Sequence, residues 1–238
     1  MGAHWTPADA VMIVGNYSQQ QFDAILGAYP NVPIATAGII SYYPETIDHI
    51  TFSNRETVKV ALQHLRGMGH RQIGYLGIKE AEGTELFGSR KQTFIEIMRQ
   101  AGTFHEDWVY ESEHGKDRVE QGYNTMRSWL AKGDAMPTAI FCANDPIALG
   151  VVKALTESGY AIPRDISVMA HDGAYPTQYT IPELSTVDVH SYQLGVEGIY
   201  LLHERLSLGR KTAKRVYLYP SLISRDSVAP PPTGRRER

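Results

Sequence analysis

The chain has 238 residues, 42% of them hydrophobic, 10% aromatic and 21% charged, and carries a formal net charge of −3. That balance excludes a disordered chain, and the length suits one large domain or two small ones. The closing TGRRER is basic, so the rest of the chain is more acidic than the total and lacks the positive footprint of a DNA-binding surface. In chain order, residues 10–15 (AVMIVG) read as a buried strand, 21–28 as a helix, and 32–37 (VPIATA) as the strand that closes one βαβ unit. Residues 49–52 form a short strand or crossover. Residues 55–68 form an amphipathic helix with Val58, Ala61, Leu62 and Leu65 on one face, stopped by Gly67 and Gly69. The alternation then repeats: strand 72–77, helix 89–100, weak strand 109–110, helix 119–131, strand 139–142, helix 146–158, strand 166–170, helix 196–206 and a last strand 216–219. Strands separated by helices of this length imply parallel sheets with right-handed crossovers.

The expected division is a first subdomain of residues 1–54 plus 188–215 and a second of 55–187 plus 216–229, with 230–238 a disordered tail. Only two strands precede the crossover near residue 54, so the first subdomain reads as incomplete.

The single cysteine, Cys142, excludes a disulfide framework or a Cys-rich zinc site and fits a reducing compartment. No apolar run is long enough to span a membrane, and the N-terminus lacks the basic start of a signal peptide, so a cytoplasmic location is expected. Phosphate-loop, dinucleotide, zinc-protease and nucleophile-elbow motifs are missing, and the nine histidines lack ligand spacing. The expectation is therefore no catalytic residues, no metal and no cofactor.

Open α/β sheets bind ligands beyond the carboxyl ends of their strands, and three polar clusters fall there. Strand 139–142 is followed by Asn144 and Asp145, with Pro146 at a helix start. Asp145 reads as the helix cap, which leaves the Asn144 amide for a ligand. Strand 166–170 leads to Asp172. Arg90 lies in the first turn of a helix, where the positive dipole end disfavours it, so it is expected to face an acceptor. A guanidinium, a carboxamide and a carboxylate together suit a polyhydroxyl ligand. Tyr175, Tyr179, Phe87 and Phe22 are candidates for an apolar wall.

Several segments share a resemblance: 65–77 (LRGMGHRQIGYLG), 89–94 (SRKQTF), 137–150 (PTAIFCANDPIALG), 154–172 (ALTESGYAIPRDISVMAHD) and 182–187 (PELSTV). In this order and spacing they resemble the effector domain of the LacI/GalR family of bacterial transcriptional repressors, and 220–230 (PSLISRDSVAP) resembles that family's last strand. Residues 187–195 (VDVHSYQLG) look most like galactoside-responsive members of the evolved-β-galactosidase repressor type. The resemblance implies a periplasmic-binding-protein-like α/β fold: two doubly wound parallel-sheet subdomains joined by three crossovers, with a sugar in the cleft between them. It carries ligand contact to Arg90, Asn144 and Asp172. It also implies that this chain lacks a helix-turn-helix headpiece and the first βα units, so operator DNA is contacted only through that missing part, in a homodimer. Hinges are expected near Asn54, 186–188 and 215–217. Gly173, Ala170 and Asn54 depart from the family's usual Asp, Gly and Asp. A sugar-binding protein of a transport system shares this architecture and is the alternative reading.

Overall fold

The computed structural model describes residues 8–15, 17–39, 44–78, 89–112 and 117–232. They fall into two compact units, and the chain passes between the units after Ser53, Val189 and Tyr219.

The first unit holds β1 (Val11–Val14), α1 (Gln19–Ala28), β2 (Ile34–Ala37) and β3 (Asp48–Phe52). The second holds α2 (Asn54–Gly67), β4 (Ile73–Ile78), α3 (Arg90–Gln100), β5 (Val109–Ser112), α4 (Arg118–Ala131), β6 (Ala139–Cys142), α5 (Asp145–Glu157), β7 (Ser167–Asp172) and β8 (Ser185–Asp188). The chain then returns to the first unit with α6 (Ser191–Ser207) and β9 (Arg215–Leu218), and ends in the second with β10 (Ser221–Ile223).

In the first unit the strands are all parallel in the order β1-β2-β3-β9. Ser18 starts α1 through a capping box with Gln21, which satisfies free N–H groups at the helix start. Phe22 of α1 is buried against Ile13 and Ile34. Gly198 lets α6 approach the sheet, because a Cβ there would meet the side chain of Met12 at 2.5 Å. The unit is locked by a fully buried carboxylate, Asp48. Arg210 donates to both of its oxygens at 2.9 and 2.8 Å, Arg205 Nε at 2.7 Å, and the Lys214 N–H at 2.7 Å. Burial pushes the Asp48 carboxyl up, but the hydrogen bonds from Arg210, Arg205 and Lys214 outweigh it and hold the group below the ordinary aspartate range.

In the second unit the order is β10-β8-β7-β6-β4-β5, parallel throughout except for β10 against β8. Its central strands are buried on both faces, as parallel strands between helices must be. On one face Leu76, Ile140 and Val168 pack with Met126, Trp129, Ile147 and Val151 of α4 and α5. On the other, Tyr75, Phe141 and Met169 pack with Val58, Leu62, Leu65, Phe94 and Met98 of α2 and α3. The helices α4 and α5 touch through main chain. A Cβ on Gly122 would strike the Ile147 carbonyl, and one on Gly150 the Val119 carbonyl.

Three expectations need correction. The expected boundary at 215 falls inside β9, which belongs as a whole to the first sheet because Arg215–Leu218 pairs in parallel with His49–Phe52 of β3. The residues named for two hinges, 186–188 and 215–217, lie within strands β8 and β9, and the chain crosses between the units just beyond each, after Val189 and Tyr219. Within the expected disordered tail, Pro230–Pro232 is described, and the Pro231 ring lies 3.4 Å from where a Gly69 Cβ would stand; residues 233–238 lie outside the described residues. The short β8 escaped the sequence reading, β10 was anticipated only through the resemblance of 220–230 to a last strand, and α6 begins five residues before the expected 196.

Two substitutions test these locks. Asp48→Asn leaves Arg205 and Arg210 facing a neutral group, and urea denaturation should show a loss of about 3–5 kcal/mol in the first unit. Gly150→Ala forces α5 off α4, and the second unit should lose about 1–3 kcal/mol in the same assay.

Candidate functional site

Every parallel β→α connection of the second unit sets a helix N-terminus at the carboxyl end of the sheet. Arg90 is the first residue of α3, after the cap Ser89, whose side chain accepts from the Gln92 N–H. Its Nη1 donates to the Ala143 carbonyl at 2.9 Å, so its guanidinium crosses from β4 to the end of β6. That bond brings Arg90 to the residue next to Asn144. The expectation that an arginine so placed faces an acceptor is met by this carbonyl.

The cap expected of Asp145 falls to Asn144. Asn144 is the cap of α5: its Oδ1 accepts from the Ile147 N–H at 2.9 Å, and this fixes which end of the amide faces outward. The half-buried Nδ2 group makes no hydrogen bond among the described residues and remains as a donor. Asp145 turns inward and is buried. Its Oδ1 accepts from Thr186 Oγ1 of β8 at 2.7 Å and its Oδ2 from the Ala174 N–H at 2.6 Å, while the Gly173 N–H donates to Thr186 Oγ1 at 3.3 Å. The physical reason is geometric. A cap must sit one residue outside the helix, and Asp145 already has helical backbone. Burial pushes the Asp145 carboxyl up to about 7, against the pull of the hydrogen bonds from Thr186 and Ala174.

Asp172 ends β7 with φ 123°, outside the range that residues with a side chain favour. Its Oδ1 lies 2.7 Å from Nδ1 of the buried His171. Gly173 follows with φ +74°, and a Cβ there would stand 2.8 Å from Asp188. The glycine that departs from the family pattern is therefore the residue this turn requires. Unusual backbone angles of this kind concentrate where a side chain must be held for a ligand.

The structure thus brings Arg90, Asn144 and Asp172 to one end of one sheet. It adds two residues that the sequence reading missed. Arg118 is the first residue of α4, after its cap Asp117. It is coupled electrostatically to both Arg90 and Asp172, and burial, followed by Arg90, lowers its guanidinium pKa. The signal that flagged Arg90, a cation at a helix start, was present here too. Asp188 ends β8 in register with Asp172.

The aromatic candidates fare differently. Phe22 belongs to the core of the first unit, Tyr175 and Tyr179 are exposed and bonded to each other, and Phe87 lies outside the described residues. Cys142 is fully buried, and burial together with Asp145 pushes its thiol far up, so it is an apolar core residue as expected. A hollow of about 480 Å³ lined by Lys59, Leu62, Arg66 and Ile97 shares no residue with the strand-end set. It lies along α2 and α3, away from the polar groups that give the strand ends their chemistry. Among the described residues no group of His, Cys, Asp or Glu is placed to hold a metal ion, and no helix is long and apolar enough to cross a membrane.

Known proteins share this arrangement. The family described as periplasmic binding protein-like domain matches residues 62–228. The HTH-type transcriptional repressor PurR of Mannheimia succiniciproducens is 33% identical over 92% of this chain and 64% of its own length. The HTH-type transcriptional repressor MelR of Bacillus subtilis is 30% identical over 92% of this chain and 63% of its own. The chain therefore spans less than two thirds of these relatives. A LacI family transcriptional regulator from Enterococcus faecalis, solved with bound ribose, superposes with a TM-score of 0.75 at 25% identity, covering 94% of this chain and 79% of that one.

The state of Asp145 has a measurable consequence. Its folded value near 7 lies above the unfolded value of about 3.9, so between these limits the folded protein holds the extra proton and loses stability as pH rises. Chemical denaturation across this range should show the wild type's stability relative to Asp145→Asn greatest near pH 4, falling toward pH 7 and level above it.

Proposed function

Because the chain belongs to the periplasmic binding protein-like domain family, in the form found in LacI-family transcriptional regulators, we propose that it senses a small polyhydroxyl effector and passes that signal to a DNA-reading part. The observation that supports the reading most is the meeting of Arg90, Asn144 and Asp172 at the carboxyl end of one parallel sheet. The guanidinium and the Asn144 Nδ2 donate to hydroxyl oxygens, while the Asp172 carboxylate accepts from hydroxyl hydrogens, and adjacent hydroxyls of a sugar supply both. Sequence resemblance favours a galactoside, and the ribose held by the Enterococcus faecalis regulator makes pentoses the next class to examine.

The reading assigns operator binding to a helix-turn-helix headpiece outside this chain, consistent with the acidic charge here and with the curated relatives' greater length. Effector binding biases a conformational equilibrium by its differential affinity for the two states, and the headpieces respond to that bias. Regulation of this kind uses a homodimer. The exposed Tyr175, Tyr179 and Ile181, the last 95% exposed, give the second unit an apolar face suited to a second copy. The protein works in the cytoplasm and performs no catalysis.

A thermal-shift screen with galactosides, glucosides, pentoses and purines tests the proposal. At least one sugar should raise the melting temperature, since a ligand at a hundred times its Kd adds about 2.7 kcal/mol to the native state. Arg90→Ala and Asp172→Ala should each abolish the shift. An unchanged shift in both variants overturns the site, and a response to purines alone overturns the sugar.

A further inference from the structure

Five of the polar groups at the carboxyl end of the second sheet fall in order of charge along the strands, with the cap Asp117 and the buried Asp145 outside that order. Arg118 follows β5, Arg90 follows β4, Asn144 follows β6, Asp172 ends β7 and Asp188 ends β8. The strand order β8-β7-β6-β4-β5 therefore runs from two carboxylates through one carboxamide to two guanidiniums. This order of signs sets a polar axis across the mouth, along which Asp172 still acts on Arg118.

The positive end carries unmet hydrogen-bonding capacity. Arg118 Nη1 is buried and has no hydrogen-bond partner among the described residues, and the same holds for Ser112 Oγ at the end of β5. A guanidinium N–H removed from water without an acceptor is costly, and a second guanidinium beside it raises the cost. The first turn of α3 holds no carboxylate, so its helix dipole adds to the positive potential there, whereas Asp117 and Glu120 offset that of α4. A neutral sugar offers hydroxyl oxygens to this end but no charge.

Resting on the sugar-sensor reading, we infer that the effector is an anionic polyhydroxyl compound. Its phosphate ester or carboxylate lies against Arg118 and Arg90, and its hydroxyls face Asn144 and Asp172. The planar guanidiniums match the oxygens of either anion in a bidentate manner. The carboxylates over β7 and β8 repel the charged group, so they set the direction in which the ligand enters as well as its affinity.

Isothermal titration of the full chain tests this with matched sets of probes: ribose, glucose and galactose; their phosphate monoesters; and glucuronate and galacturonate. At least one anion should bind roughly tenfold or more tightly than its neutral parent, with the gap narrowing as salt rises. Arg118→Gln should weaken binding of the anion far more than that of the neutral sugar and so shrink that gap, and Arg118→Lys should restore part of it. Whether esters or uronates bind identifies the anion. Equal or tighter binding of the neutral sugar overturns the inference and leaves the sugar sensor standing, and so does an equal loss for both ligand types in Arg118→Gln. Binding of none of the probes overturns both readings. Should Arg118→Gln fail to fold, the wild-type comparison of neutral and anionic probes decides alone.

Discussion

The buried carboxylate of Asp145 is the constraint on which the candidate site depends. It gathers two N–H groups of the turn after β7, one directly and one through Thr186, and so ties the connections after β6 and β7 to strand β8 at a single point. With that tie, the strained Asp172 and the Gly173 turn have fixed positions relative to Asn144, one residue away on the same helix start. Without it, each group would hang on a separate loop. The cost of burying the carboxylate shows in its raised pKa, and the hydrogen bonds that oppose the rise are those that build the site.

Asp48 offers an instructive contrast. It is as thoroughly buried, yet it meets two arginines and a backbone N–H and stays firmly ionised. One unit is thus held by a charge that accepts directly from two cations, the other by a carboxylate whose hydrogen bonds come from neutral donors. The first arrangement is insensitive to pH near neutrality. The second lies within reach of it, at the very place where a ligand is proposed to bind.

Most of the fold was legible in the sequence because the parallel strands are short apolar runs between strongly periodic helices. Residues 139–142 and the α2 face of Val58, Ala61, Leu62 and Leu65 are examples. What escaped was β8, four residues long, and β10, three residues long, was reached only through resemblance; the identity of both comes from pairing with neighbours remote in sequence. Arg90, Asn144 and Asp172 were readable from strand ends and from a dipole misfit. Asn144 and Asp145 could not be told apart, because Asp and Asn cap helices equally well and only the backbone decides which lies outside. Arg118 carried the same dipole signal as Arg90 and was missed because its helix was read as starting at Val119, one residue later than α4 does.

The contact of α4 with α5 through Gly122 and Gly150 has a bearing on how such a receptor diverges. Where the two glycines bring the helices together the contact is main chain, with no side chain to repack at that point, so Arg118 at the head of one and Asn144 at the head of the other are separated by a distance written in main chain. Related receptors that keep both glycines inherit the same ruler. They can change what they recognise by exchanging the residues at its two marks, while the length of molecule they measure stays the same.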